Sequence, residues 1–127
     1  MSSDLVRVIR KGQRTVGAPT AGMIREEAVS TDGMWAGFVH TEPHMASGWH
    51  HHGDYESVIY VMSGRLRMEF GAGGREVEET EAGDFLYVPK GTVHREINPL
   101  DEEGTLIVAR SGTGPPVINV DEPEPAD

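Results

Sequence analysis

The stretch Gly83-Asp84-Phe85-Leu86-Tyr87-Val88-Pro89-Lys90-Gly91-Thr92-Val93-His94-Arg95-Glu96-Ile97-Asn98 decides the fold. It reads as two short strands, Asp84–Val88 and His94–Ile97, on either side of the corner Pro89-Lys90-Gly91. Proline cannot donate to a sheet ladder and glycine takes a positive φ at no steric cost, so the pair punctuates strands. Working outward, the same texture recurs. Sixteen Gly and eight Pro cut the 127 residues into short runs, and no apolar stripe of helical period is present. Further strands are expected at Met34–Thr41, Ser57–Met62, Arg65–Phe70, Glu76–Glu79, Thr105–Arg110 and Val117–Val120, joined by tight turns at Ser63-Gly64 and Gly71-Ala72-Gly73-Gly74. Such spacing predicts an all-β antiparallel sandwich or barrel with little helix.

Alternation assigns the faces. In Arg65–Phe70 charged and apolar residues alternate, which turns Leu66, Met68 and Phe70 inward. Ser57–Met62 and Leu106–Ala109 are apolar on both faces and are expected at the centre of a sheet or at a subunit contact. The aromatics Trp35, Phe38, Trp49, Tyr60, Phe85 and Tyr87 are expected mostly in the core. Residues 1–28 are expected to form an N-terminal arm, with 12–28 laid irregularly over a barrel of residues 29–120. Residues 121–127 read as an acidic, disordered tail.

The chemistry concentrates on histidine. Of six in the chain, His50, His51 and His52 are consecutive. In a strand His50 and His52 share one face and His51 takes the other, and two imidazoles two residues apart make half of a metal site. With Gly48, Gly53 and Asp54 around it, the triplet also reads as a surface loop. The stretch quoted above breaks the tie. It has the form G-x5-P-x-G-x2-H-x3-N and resembles, without a gap, the second motif of the cupin superfamily. His50-x-His52-x3-Glu56, followed by Gly64, resembles the first, G-x5-H-x-H-x3,4-E-x6-G, with one residue too many before the closing glycine. The chain is identified as a small single-domain member of that superfamily.

The resemblance implies a jelly-roll (double-stranded β-helix) barrel holding one divalent transition metal, with His50, His52, Glu56 and His94 as ligands and His94 across the barrel from the other two. Which metal (Fe, Mn, Ni, Zn or Cu) is not implied, since imidazole and carboxylate suit all five. The carboxylate position is two-valued. Counted forward from His52 it is Glu56, given a one-residue bulge after Gly53; counted back from Gly64 the inward slot is Ser57, leaving a three-histidine site. Asn98 reads as a turn-capping residue rather than a ligand. His40 and His44 read as exposed or packed histidines, and His51 as bonded to nearby backbone or lining a dimer contact.

Composition excludes other classes. Eleven Lys and Arg against 21 Asp and Glu give a net charge of −10, which disfavours nucleic acid and anionic membranes as partners. No cysteine leaves no thiolate metal site or disulfide, and no apolar segment is long enough for a leader or a membrane span, so a cytoplasmic protein is expected. No nucleophile–base pair or phosphate loop is present, so any chemistry belongs to the metal. Three functions remain: a metal-dependent dioxygenase, isomerase or decarboxylase on a small organic molecule; a non-catalytic binding or sensing module; or a structural metal site. Arg67, Arg95 and Lys90 alternate outward, so no cationic clamp for a substrate carboxylate is read. The expected partners are a small molecule and, through the two-faced strands and the arm, a second copy of the chain.

Overall fold

Hydrophobic alternation of period two is carried through most of the chain, and the computed structural model, which describes residues 5–17, 20–115, 117–121 and 123, answers it with strands almost throughout. In chain order these are β1 Thr15–Val16, β2 Met23–Ser30, β3 Met34–Thr41, β4 His50–His51, β5 Glu56–Ser63, β6 Arg65–Phe70, β7 Glu76–Glu81, β8 Phe85–Val88, β9 His94–Ile97, β10 Gly104–Ser111 and β11 Ile118–Asn119. Two single turns of 3-10 helix, Lys11–Gln13 and Ala72–Gly74, are the helical content of the described residues.

The strands form two antiparallel sheets. One has the order β1-β2-β3-β10-β5-β8 and the other β11-β4-β9-β6-β7. Their inner faces pack on one another. Trp35, Val39, Ile59, Val61, Val88, Leu106 and Val108 of the larger sheet meet Leu66 and Met68 of the smaller, with Met23, Met45 and Tyr55 closing the ends. This is the double-stranded barrel expected, with Leu66 and Met68 turned inward and Phe70 half-buried against the core. The strands apolar on both faces, β5 and β10, lie side by side in the middle of the larger sheet. The hairpin turns take the left-handed conformations expected of them, with Gly64 at φ 83° and Gly71 at φ 78°.

Two expectations are corrected. Residues 23–28 do not lie over the barrel as part of an arm; with Val29 and Ser30 they are β2, paired along β3, with a bulge between Glu27 and Val29. That bulge shifts the alternation partway through the strand, which is why no period was visible. Nor are the six named aromatics mostly core. Trp35 is buried, whereas Phe85 and Tyr87 are 69% and 61% exposed on the outer face of the larger sheet. The acidic tail falls on residues of which only Asp121 and Pro123 are described.

Asn98 ties the corner beyond β9. Its amide nitrogen donates to the carbonyls of Thr41, Glu42 and Glu102, and its Oδ1 accepts from the Leu100 amide. It holds loops and lies apart from the histidines, as its position in the motif suggested.

Candidate metal centre

Three strand segments of the smaller sheet bring the histidines together. β4 lies next to β9 with His50 directly opposite His94, and His52 follows β4 on the same side as His50. The chain reaches β9 through the Pro89-Lys90-Gly91 corner, where Gly91 stands at φ 67° and donates its amide to the Gly53 carbonyl at 3.0 Å. That bond ties the second motif to the loop just after His52. His94 is therefore the lateral neighbour of His50 on the same sheet, rather than across the barrel from it.

The rings are packed and dry. Their centroids lie 4.4 Å apart for His50–His94, 5.2 Å for His50–His52 and 5.0 Å for His52–His94. His50 and His94 are fully buried and His52 is 4% exposed. One nitrogen from each ring lies within 4.8 Å of those of the other two, close enough to converge on one ion.

Hydrogen bonding sets the tautomers. Nδ1 of His50 lies 2.9 Å from the Gly48 carbonyl oxygen, and Nδ1 of His94 lies 2.8 Å from that of Thr92. A carbonyl only accepts, so each Nδ1 carries a proton and Nε2 is the atom left to meet an ion. Both Nε2 atoms are buried without a hydrogen-bond partner among the described residues.

A carboxylate stands at the same point, and it is neither of the two positions expected. Glu96, two residues beyond His94 and 3% exposed, puts Oε2 3.1 Å from His50 Nε2 and Oε1 3.7 Å from His94 Nε2. Burial alone would raise its pKa, but the two imidazoles beside it hold it well below the usual carboxylate range. Two imidazole Nε2 atoms and a carboxylate thus face one another without an aligned hydrogen bond. Opposite charge brought between or onto these groups, a divalent metal or a proton, suits that arrangement, and a divalent metal fits the donor set.

Glu56 is placed differently. It is exposed at the start of β5, and its carboxylate accepts a hydrogen bond from the Tyr87 hydroxyl at 3.0 Å on the outer face. β5 pairs with β10 through Ser111↔Glu56 and Arg110↔Ser57, so the inward slot belongs to Ser57. His51 faces away, its Nδ1 accepting the Gly53 amide at 3.0 Å. His40 pairs with Glu26 at 3.0 Å on the outside, and His44 is exposed.

Sequence reading missed Glu96, Arg25 and Arg110, all buried and inward. Two carried a signal. Once His94 faces inward, parity turns Glu96 inward; once Leu106 and Val108 do, Arg110 follows. Arg25 lies in the strand that had been read as arm.

A crevice of about 490 Å³ opens beside the cluster, between the edges of the two sheets. Its walls mix apolar groups, Met68, Phe70, Leu86 and Val88, with the acidic Glu78, Glu79 and Asp84. Phe70 and Met68 are the cross-strand neighbours of His94 and Glu96, so the apolar part of the wall adjoins the polar site.

Fold and site together define a double-stranded β-helix protein with three converging buried histidines. The chain belongs to the cupin family: the family's cupin-domain profile matches residues 37–110, which includes both histidine segments. An uncharacterised protein of Bacillus subtilis (strain 168), YdbB, is 43% identical over 47 residues, a stretch covering 37% of this chain and 40% of that protein. Among solved structures, a double-stranded β-helix protein of unassigned function from Klebsiella pneumoniae is similar with TM-score 0.68 and 20% identity, over 84% of this chain and 91% of that one. The polyketide cyclase RemF from Streptomyces resistomycificus is similar with TM-score 0.70 and 17% identity, over 91% of this chain and 86% of that one. At these identities the structures speak for the fold alone. Among the described residues no helix is long and apolar enough to cross a membrane.

Proposed function

We propose that this cupin is a metal-dependent enzyme acting on a small organic molecule, with His50, His52 and His94 as ligands and the carboxylate supplied by Glu96 instead of Glu56. The observation that carries this reading is the meeting of two Nε2 atoms and the Glu96 carboxylate in a buried interior. A bound Fe(II) or Mn(II) ion would supply Lewis-acid or redox chemistry. The chain's own residues do the rest. The Gly48 and Thr92 carbonyls hold two of the imidazoles in the tautomer that ligates. The crevice, with Met68, Phe70, Leu86 and Val88 on its inner wall, is where a small, partly apolar molecule would sit. Oxidative or isomerising chemistry is the version supported by this redox-tolerant, cysteine-free donor set. Reloading metal-free protein with Fe(II), Mn(II), Ni(II) or Zn(II), and following O2 uptake and product formation with diketones, catechols, thiols and keto acids, tests it. Turnover with at least one metal is expected. No turnover with any metal, alongside tight binding of one of these compounds, would identify a binding module instead.

The second part of the proposal is a homodimer. Met34, Val58, Met62, Phe85, Tyr87 and Ile107 stand exposed together on the outer face of the larger sheet, an apolar surface of the kind that marks an interface. Light scattering is expected to give twice the chain mass, and Phe85→Lys with Val58→Lys to give the monomer; a monomeric wild-type protein would refute it.

A further inference from the structure

The interior holds a second polar group that the histidine cluster does not use. Arg25 on β2 and Arg110 on β10 face inward from the larger sheet, 2% and 4% exposed. The Arg110 guanidinium lies over the Trp35 ring, 4.6 Å from its centroid, a contact that covers one face and satisfies no N–H. Its Nε and Nη1 are buried and lack a hydrogen-bond partner among the described residues. Ser57, directly opposite Arg110 in the β5–β10 ladder, has its buried Oγ in the same condition. Tyr55 adds a buried phenol close enough to act on Arg110, its hydroxyl donating to the Gly114 carbonyl at 3.0 Å.

Glu96 is the one carboxylate among the buried polar residues described, and Arg110 lies within its electrostatic reach. Burial, and then the neighbouring charge of Arg25, push Arg110 down to about 9, which still leaves it protonated at neutral pH. An interior that keeps such a charge with the Arg110 N–H groups unsatisfied is costly as a structural device. It is favourable as a receptor, because the guanidinium fork matches two oxygens of a carboxylate and the Ser57 hydroxyl adds a donor beside it. A carboxylate also brings a negative charge to the guanidinium and is cheaper to dehydrate than a phosphate dianion.

We infer that Arg110 and Ser57 form a carboxylate-binding site, and that the small molecule handled at the histidine cluster is an organic acid. That this acid is handled at the histidines rests on the proposed metal chemistry; the anion site rests on the arginine and the serine alone. Calorimetric titration of wild-type protein, metal-free and zinc-loaded, with acetate, glycolate and pyruvate and with their uncharged amides reads it directly. At least one acid is expected to bind while its amide does not. Arg110→Met should weaken that acid about 10-fold or more, the scale of a lost charge-assisted pair. Arg110→Lys should recover only part, since an ammonium keeps the charge and loses the fork, and Ser57→Ala should cost a few-fold. Absence of binding by all three acids, equal binding of acid and amide, or unchanged affinity in Arg110→Met overturns the inference. If Arg110→Met does not fold, Arg110→Lys, Ser57→Ala and the wild-type comparison of acid with amide decide it. Zinc uptake, measured on the same preparations, separates the two claims. Zinc bound without any carboxylate overturns this inference and leaves the metal reading standing; Arg110-dependent carboxylate binding without zinc uptake supports it and removes the metal reading.

Discussion

Replacing His50 and His94 together by alanine is expected to take the metal content of the purified, untagged protein from about one divalent ion per chain to background. His51→Ala should leave it intact. Both lost rings present a buried Nε2 atom whose orientation is fixed by a backbone carbonyl behind it, and such preset donors account for most of a site's affinity. His51 differs by one residue and therefore by a whole face of the chain. Elemental analysis after dialysis measures the content, and loss of metal in His51→Ala as severe as in the double variant would sink the parity argument. The same site predicts a pH dependence with a definite sign. Metal binds the unprotonated imidazole, so affinity should fall as pH drops through the range where imidazoles ordinarily take up protons, roughly 6.5 and below. Competition with a chromogenic chelator at several pH values reads that slope.

Glu96→Ala is expected to be the most destabilising single substitution in the site, costing about 3–5 kcal/mol in metal-free protein, the range for removing one partner of a buried charged group. Glu96 is the buried counter-charge to Arg25 and Arg110 and stands 3.1 Å from His50 Nε2. Its removal takes away the buried carboxylate that acts on both guanidinium groups. Adding Arg110→Met to Glu96→Ala should recover part of the loss, because it removes one buried cation and fills the space with an apolar chain. Denaturant unfolding of the four proteins in this cycle gives the coupling directly. Strictly additive losses would refute the charge account. Glu96→Gln, nearly the same in shape, should still weaken metal binding by about 10-fold or more, whereas Glu56→Gln should leave it close to wild type. The reverse ranking would return the carboxylate role to Glu56.

These two expectations mark where local sequence stops being informative. Alternation within a strand is a local property, so Arg65–Phe70 and His94–Ile97 could be placed to the residue and Leu66, Met68 and His94 assigned their faces. The glycine and proline punctuation gave the corner at Gly91 and the hairpin at Gly64, because positive φ is set by the residue itself. The resemblance of the two histidine segments to the cupin motifs implied that His50, His52 and His94 come together, as they do in the structure.

What alternation cannot supply is the phase of a strand whose neighbours are unknown. Glu56 and Ser57 were each defensible, counted from opposite ends of the same segment. The ladder with β10, which sets Ser57 opposite the inward Arg110, settled the phase and sent Glu56 to the outer face beside Tyr87. The bulge in β2 hid Arg25 in the same way, by shifting the period midway through the strand. The large aromatics were misplaced because the larger sheet is apolar on both faces, and hydrophobicity alone does not say which face meets the other sheet. The sequence by itself therefore determined the class of fold and the three converging imidazoles. Only the packing of the two sheets decided that Glu96 stands beside them and that two arginines are buried in the interior, because pairing register and facing side chains are relations between strands distant in the chain.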